Sequence, residues 1–121
     1  MRTCMIVGIG GFIGTICRYL LTLLPYTNKS GFPLITLLIN VAGAFVIGVI
    51  AALAAKYHGI NTDLMAFLRV GVCGGFTTFS TFALEITGLW SNGRPWIGIA
   101  YIVLSLLFSL LAVSLGKALI S

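Results

Sequence analysis

The chain has 121 residues, of which 60% are hydrophobic and only 7% are charged. A soluble domain usually carries about 25% charged residues, so a chain of this length has too little polar surface to fold in water. We therefore expect a membrane protein. The net charge of +5 is spread along the chain as single residues, which excludes the clustered basic face of a nucleic-acid-binding protein.

The first apolar segment runs from about Thr3 to Leu24. At about 1.5 Å per residue it is long enough to cross a hydrocarbon core of about 30 Å. Gly10 and Gly14 are four residues apart, a spacing typical of two membrane helices in close contact. Arg18 lies near the end of the segment, where it is expected to reach the headgroups or to line an anion vestibule.

The second apolar segment runs from about Leu34 to Ala55, and in it Thr36 and Asn40 share one helix face. An asparagine at membrane depth is costly unless its amide is hydrogen-bonded. Asn40 is therefore expected either to join two helices through hydrogen bonds or to take part in function. Its spacing alone favours neither role.

The third apolar segment, from about Leu64 to Trp90, contains Gly-Gly-Phe-Thr-Thr-Phe-Ser-Thr-Phe at residues 74–82. Paired glycines and paired threonines are poor material for a helix interior, so this stretch predicts a helix break at membrane depth. The freed backbone groups must be satisfied by protein or by a water-filled cavity, an arrangement that suits an ion site. The alternative is that Gly71 and Gly75 only allow two helices to approach closely.

The fourth apolar segment runs from about Trp96 to Leu119 and carries Tyr101, Ser105 and Ser109 at intervals of four residues. This spacing predicts a polar stripe on one helix face. The whole chain, residues 1–121, is thus predicted to form one all-α transmembrane domain of four helices, with the third helix broken mid-membrane. The sequence does not bring a nucleophile, a base and an orienting group together, which argues against an enzyme.

The positive charges are nearly balanced between the two sides of a four-span protein. Arg2, Lys56 and Lys117 fall on the side of the termini, and Lys29 and Arg94 fall on the other side. The positive-inside rule therefore gives almost no preference for one orientation. Copies inserted in opposite orientations would pair about a two-fold axis in the membrane plane, so the sequence predicts an antiparallel homodimer.

Three sequence motifs together resemble one known family. They are the stretch at residues 74–82 with Glu85 three residues on, Asn-Val-Ala-Gly at residues 40–43, and Gly-Gly-Phe-Ile-Gly at residues 10–14 followed by Cys-Arg-Tyr. The chain resembles the Fluc (CrcB) family of fluoride channels over nearly its whole length. The resemblance implies a passive, fluoride-selective channel of the cell (inner or plasma) membrane that exports cytoplasmic fluoride and confers fluoride resistance. It also implies a dual-topology antiparallel homodimer with two pores in the lipid bilayer.

The resemblance further implies a pore lined by two phenylalanines, Phe79 and Phe82, and by the amide of Asn40. Hydroxyl groups would extend this pore as a polar track, formed by Ser80, Thr81, Tyr101, Ser105 and Ser109. The chemistry is suitable, because amide and hydroxyl donors can replace the water around a small anion. Phenylalanine ring edges carry the positive end of the ring quadrupole and hold an anion without a full charge.

A structural sodium ion at the dimer interface is also implied by the resemblance, held by the backbone carbonyls of Gly74 and Thr77 from both subunits. Arg18 would lie near a vestibule, and no organic cofactor is expected. The chain departs from the family at Ala83, where many members have serine, so a hydroxyl role at this position is in doubt.

Two other classes of function remain open from the sequence. A proton-coupled exporter of the small four-helix type would need a membrane carboxylate as its proton carrier, and Glu85 is the one candidate. This carboxylate is expected to be protonated, to pair with an arginine such as Arg18 or Arg69, or to face water. A non-transporting accessory subunit would use the glycines and Asn40 only for packing.

Overall fold

The computed structural model describes residues 1–121 and is entirely helical. Four helical stretches are long and apolar enough to cross a membrane, at Arg2–Thr22, Leu34–Lys56, Thr62–Ser91 and Pro95–Ile120. The predictions of an all-helical chain and of four membrane-length helices are therefore confirmed. The elements are α1 (Arg2–Thr22), α2 (Leu34–Lys56), α3 (Thr62–Met65), the π-helix π1 (Ala66–Cys73), α4 (Gly74–Phe76), α5 (Phe79–Ser91) and α6 (Pro95–Ile120).

The helix boundaries follow from local chemistry. Each of the three connectors between the long helices contains a glycine with positive φ, at Gly31, Gly59 and Gly93, a conformation that glycine adopts without steric cost. The side chain of Asn61 caps α3 by accepting the backbone N–H of Asp63 at 2.8 Å. Helix α6 begins at a proline, which is preorganised for the first helical position.

Helix α1 packs closely against the third span. A Cβ atom on Gly10 would lie 2.6 Å from the carbonyl oxygen of Phe67 and 3.0 Å from the Cα of Gly71. One on Gly14 would lie 2.8 Å from the backbone nitrogen of Phe76. Both helices therefore meet backbone to backbone, as the Gly10–Gly14 spacing predicted.

Helices α2 and α6 form the second close pair. A Cβ atom on Gly48 would press against the backbone of Val113, and one on Gly116 would press against the carbonyl of Phe45. Helix α5 packs against this pair through a buried cluster formed by Leu37, Ile86, Leu89 and Tyr101. The fold thus consists of two tight helix pairs. The third span belongs to the first pair through its N-terminal part and contacts the α2–α6 pair through α5, its C-terminal part.

The third span departs from α-helical geometry at two places, in a π-helix and at two extended residues. Its π-helical stretch, Ala66–Cys73, was not predicted. Helix α4 then ends at Phe76, and the next two residues have extended backbone angles: φ −80° and ψ 158° at Thr77, and φ −148° and ψ 120° at Thr78. Helix α5 begins at Phe79. The two threonines thus interrupt the helical hydrogen bonding in the middle of the 74–82 motif.

Candidate functional site

The side chain of Asn40 makes hydrogen bonds with both backbone groups of Thr78, its N–H and its carbonyl. Its Oδ1 accepts the Thr78 N–H at 2.8 Å, and its Nδ2 donates to the Thr78 carbonyl at 3.0 Å. In a continuous helix that N–H would donate to the carbonyl of Gly74. Asn40 therefore joins α2 to the third span, and the second hydrogen on Nδ2 is not needed for this contact.

Thr78 also caps the start of α5. Its Oγ1 accepts the backbone N–H of Thr81 at 3.3 Å, an N-cap contact. In a continuous helix this N–H would donate to the carbonyl of Thr77. The carbonyls of Gly74 and Thr77 have therefore both lost the backbone donors that a regular helix would supply.

The carbonyl of Gly75 receives side-chain donors from α1. Nε of Arg18 donates to it at 3.0 Å, and Oγ1 of Thr15 lies at 3.4 Å. The structure places Nε of Arg18 on the backbone of the third span, and the expected position of this residue near the headgroups or a vestibule stays a prediction. This contact between residues 57 positions apart carries no local sequence signal.

A groove of about 270 Å³ lies beside the extended threonines. It contains five of the predicted pore residues, namely Asn40, Phe79, Phe82, Ser105 and Ser109. The rest of its lining is uncharged and is formed by Thr77, Thr78, Leu106 and Leu110. Three helical spans thus contribute to one open groove that contains hydrogen-bond donors and aromatic rings but no charged side chain.

Three aromatic side chains form a row that starts in this groove with Phe79 and Phe82 and continues to Tyr101 behind it. The ring centroids of Phe79 and Phe82 are 5.7 Å apart, and Phe82 meets Tyr101 edge-on at 5.0 Å. Phe79 is 80% exposed, whereas Tyr101 is completely buried. The row therefore begins at the open side of the protomer and ends inside it.

Two hydroxyl groups of the predicted polar stripe are buried, those of Tyr101 and Ser105. The Tyr101 hydroxyl lies beside Thr36 and Glu85, outside the groove, whereas the Ser105 hydroxyl has no hydrogen-bond partner. In contrast, the hydroxyl of Ser114 in the same helix donates to the Leu110 carbonyl at 2.9 Å, the usual arrangement for serine in a membrane helix. Buried polar groups without partners are rare and costly, so the Ser105 hydroxyl, which also lines the groove, is available to a small polar species.

Ser80 and Thr81, the other residues assigned to the polar track, do not line the groove. Ser80 is exposed on the surface of the protomer, and Thr81 is partly buried at the start of α5. Their part in the track stays a prediction.

The carboxylate of Glu85 lies outside the groove and is partly buried. It accepts a hydrogen bond from Oγ1 of Thr36 at 2.7 Å and lines an open cavity of about 480 Å³ beneath the first connector. The only salt bridge in the protomer joins Arg2 to Asp63. The pairing of Glu85 with Arg18 or Arg69 is therefore wrong, because a neutral threonine on α2 is its partner.

The chain has no group of three or more His, Cys, Asp or Glu side chains that could hold a metal ion. A smaller cavity of about 190 Å³ is lined by Gly74 and Thr77 of the interrupted segment (residues 74–78), by Asn40 and Gly43 of α2, and by the charged side chain of Arg69. A Cβ atom on Gly43 would press against Cγ2 of Thr77. The absence of a side chain at this position therefore gives Thr77 its place beside α2.

The family profile described as CrcB-like protein, Camphor Resistance (CrcB), matches residues 5–117. The chain belongs to this family. A protein of Ruminiclostridium cellulolyticum named fluoride-specific ion channel FluC is 47% identical over 114 residues, which cover 93% of this chain and 88% of that protein. Proteins of the same name are 41% identical in Rhizobium meliloti (98% and 96% covered) and 38% identical in Prosthecochloris aestuarii (95% and 90% covered). Membership of this family and four membrane-length helices make the chain a multi-pass membrane protein.

Replacing Asn40 with aspartate tests the contact with Thr78. The Asn40→Asp variant keeps an acceptor for the Thr78 N–H but has no donor for the Thr78 carbonyl. We expect a loss of about 1–3 kcal/mol in stability, since a buried acceptor is left without a partner. Thermal unfolding of the purified protein in detergent measures this loss of stability. Asn92→Asp, at an exposed helix end, is the matched control, and an equal loss in both variants would contradict the contact.

Proposed function

We propose that this chain is a passive, fluoride-selective channel that exports cytoplasmic fluoride down its electrochemical gradient. The observation that carries the proposal is the uncharged groove, in which amide, hydroxyl and aromatic groups from three spans converge. Relatives that are 38–47% identical over nearly the whole chain bear the name fluoride-specific ion channel. No catalytic residue is assigned.

The groove provides donors that replace the hydration shell of a small anion. The hydroxyl of Ser105 has no partner within the protomer, and Asn40 has one amide hydrogen that its contact with Thr78 does not use. Tyr101, buried behind Phe82, is a further hydroxyl of the proposed track. Ser80, Thr81 and Ser109 are the further hydroxyls of the proposed track. A fluoride ion would accept these hydrogen bonds, so that buried donors which are otherwise unsatisfied gain a partner.

The phenylalanines set the strength of this binding. The edges of the Phe79 and Phe82 rings carry the positive end of the ring quadrupole and attract an anion weakly. The groove has no charged side chain, so an anion is not held by a fixed countercharge. Conduction requires binding that is strong enough for entry and weak enough for exit. Neutral donors and ring edges meet both requirements.

The central test is fluoride efflux from proteoliposomes, with chloride efflux as the control for leakage. Replacing Phe79 or Phe82 with isoleucine keeps an apolar side chain and removes the quadrupole. We expect each variant to lose at least about tenfold in fluoride flux, the equivalent of roughly 1.4 kcal/mol, while folding normally. Phe108→Ile is the control, because Phe108 is an exposed phenylalanine outside the groove. Near-normal flux in both pore variants would reduce Phe79 and Phe82 to packing residues.

A second copy of the chain in the opposite orientation would complete the groove. In the protomer the groove is open on one side, where Phe79 is 80% and Leu110 is 68% exposed. An antiparallel homodimer would cover this side and place the extended threonines of both copies near a two-fold axis at mid-membrane. The balanced positive charges of the sequence support this arrangement.

Labelling from both sides of the membrane tests the two orientations. A single cysteine is introduced at His58, an exposed residue in the second connector, after Cys4, Cys17 and Cys73 have been replaced. A membrane-impermeant thiol reagent is expected to label about half of the protein when added outside intact cells, since both orientations are equally favoured. The remainder should react after permeabilisation. Complete labelling from a single side would exclude the antiparallel dimer.

A structural sodium ion would fit the segment between α4 and α5. The carbonyls of Gly74 and Thr77 have lost their helical donors to Asn40 and Thr78. Both residues line one cavity, and Arg69 lines it too, so the ion would have to lie on the carbonyls and away from this arginine. Unwound backbone carbonyls are typical sodium ligands in membrane proteins. Held between two copies at the two-fold axis, the ion would link their third spans.

Sodium is therefore expected to raise the melting temperature of the purified dimer. A ligand that binds only the folded state at 100 times its dissociation constant stabilises by about 2.7 kcal/mol. The measurement compares sodium chloride with N-methylglucamine chloride at equal ionic strength. Equal melting in the two salts would argue against the ion site without affecting the flux experiment.

A proton-coupled exporter is the alternative function, and the partly buried carboxylate of Glu85 beside an open cavity is the observation that favours it. An exporter must load and release a proton at this group in each cycle, whereas a channel need not. We expect Glu85→Gln to retain fluoride flux within about tenfold of wild type, because the amide can still accept the Thr36 hydroxyl. Loss of flux in this variant, together with uphill fluoride transport driven by a pH gradient alone, would establish the exporter instead.

A further inference from the structure

Arg18 lies within the first span and is partly buried, yet it has no carboxylate partner. A charged side chain at membrane depth is costly unless it faces water or finds a partner. Its Nε donates to the carbonyl of Gly75 at 3.0 Å, and Oγ1 of Thr15 approaches the same oxygen at 3.4 Å. Two residues one helical turn apart on α1 thus meet at a single backbone atom of the third span.

The Gly75 carbonyl needs this contact because the helix does not continue. In a continuous helix it would accept the N–H of Phe79, but the extended Thr77 and Thr78 separate the two groups. A guanidinium donor makes a charge-assisted hydrogen bond, which is roughly twice as strong as a neutral one. Arg18 therefore supplies the strongest type of donor available for an unpaired carbonyl in hydrocarbon.

The close approach of the two helices places Arg18 within reach. A Cβ atom on Gly75 would lie 2.6 Å from the carbonyl oxygen of Gly11 and 3.1 Å from Oγ1 of Thr15. The Gly75 residue thus faces α1. Its neighbours in the interrupted segment, Gly74 and Thr77, line the cavity on the side of α2. Three residues have carbonyls without helical donors: Gly75 lies on the α1 side of the third span, and Gly74 and Thr77 lie on the α2 side.

We propose that Arg18 is a positioning residue for the third span. Through Nε it fixes the Gly75 carbonyl on the α1 side, which sets the rotation of the interrupted segment and so keeps Gly74 and Thr77 at the cavity and Phe79 at the groove. On this proposal the third span requires the Nε–H donor of Arg18, and the positive charge of the side chain is not what the span requires. The flux part of the test rests on the proposed channel function, and the spectroscopic part does not.

Lysine separates positioning from charge. An Arg18→Lys variant keeps the positive charge but has a methylene group where arginine has Nε–H. Positioning through Nε predicts that Arg18→Lys and Arg18→Gln both lose fluoride flux by about tenfold or more, the effect of one hydrogen bond to a charged group. A charge role predicts that Arg18→Lys conducts like the wild type and only Arg18→Gln fails. Thr15→Val, which removes the longer contact, is expected to lose less flux than either.

Solid-state NMR detects the contact itself in the native protein. The chain has three Gly-Phe pairs, at residues 11–12, 31–32 and 75–76, so labelling glycine with ¹³C at the carbonyl and phenylalanine with ¹⁵N selects three carbonyl signals. The wild-type protein also carries arginine labelled with ¹⁵N at Nε alone, so that the Gly93–Arg94 peptide bond adds no fourth signal. The Gly75 carbonyl should then show dipolar coupling to an arginine Nε. Its signal should shift in Arg18→Lys and Arg18→Gln, whereas the signal of Gly31 should not.

Three results would overturn the proposal: no coupling between Gly75 and an arginine Nε in the wild type, unchanged flux in both Arg18 variants, or full flux in Arg18→Lys with loss in Arg18→Gln. If the Arg18 variants fail to fold, the wild-type coupling and the Gly75 shift in Thr15→Val decide the question. Absence of fluoride flux in the wild type would defeat the proposed function and leave the spectroscopic result to judge the role of Arg18.

Discussion

The architecture depends on the need to satisfy backbone groups that are freed inside a membrane. Two extended residues, Thr77 and Thr78, remove several helical hydrogen bonds at once, and hydrocarbon offers no replacement. Neighbouring helices supply the partners: the amide of Asn40 from α2 and the guanidinium of Arg18 from α1. Each contact forms only when its helix lies close to the third span. The interruption therefore specifies how the helices around it must pack.

Glycines provide the required closeness. Gly10 and Gly14 bring α1 against the third span so that Arg18 can reach Gly75, and Gly43 leaves room on α2 for the side chain of Thr77. Packing and polar contacts therefore support one another, because each glycine position lies within one or two helical turns of a residue that bonds to the interrupted segment. The glycines therefore allow close packing, and the same packing brings the polar partners to the interrupted segment.

Much of this organisation could be read from the sequence, because it is local. Hydrophobic runs gave the four membrane-length helices. Within the 74–82 motif only the threonine pair is extended, whereas Gly74 and Gly75 lie in the short helix α4. The π-helix before them could not be predicted, since its hydrogen-bond shift leaves no distinct pattern over eight residues. Long-range partners were also beyond the sequence. The partner of Glu85 is Thr36, 49 positions away, and of the three expectations for this carboxylate the structure contradicts the pairing with an arginine.

The groove has no charged lining, and this has a consequence for anion transport. Arg69 lines only the neighbouring cavity, which shares Asn40, Thr77 and Ser109 with the groove. Arg18 donates to a backbone carbonyl and Glu85 accepts from Thr36, so neither contributes a charged lining to the groove. A free arginine there would bind an anion too tightly to release it, and a free carboxylate would repel it. Neutral donors avoid both outcomes, and they favour a small anion that can approach closely enough to accept several hydrogen bonds at once. On the proposed function, selectivity for fluoride would then come from the number and geometry of buried donors, with net charge playing little part.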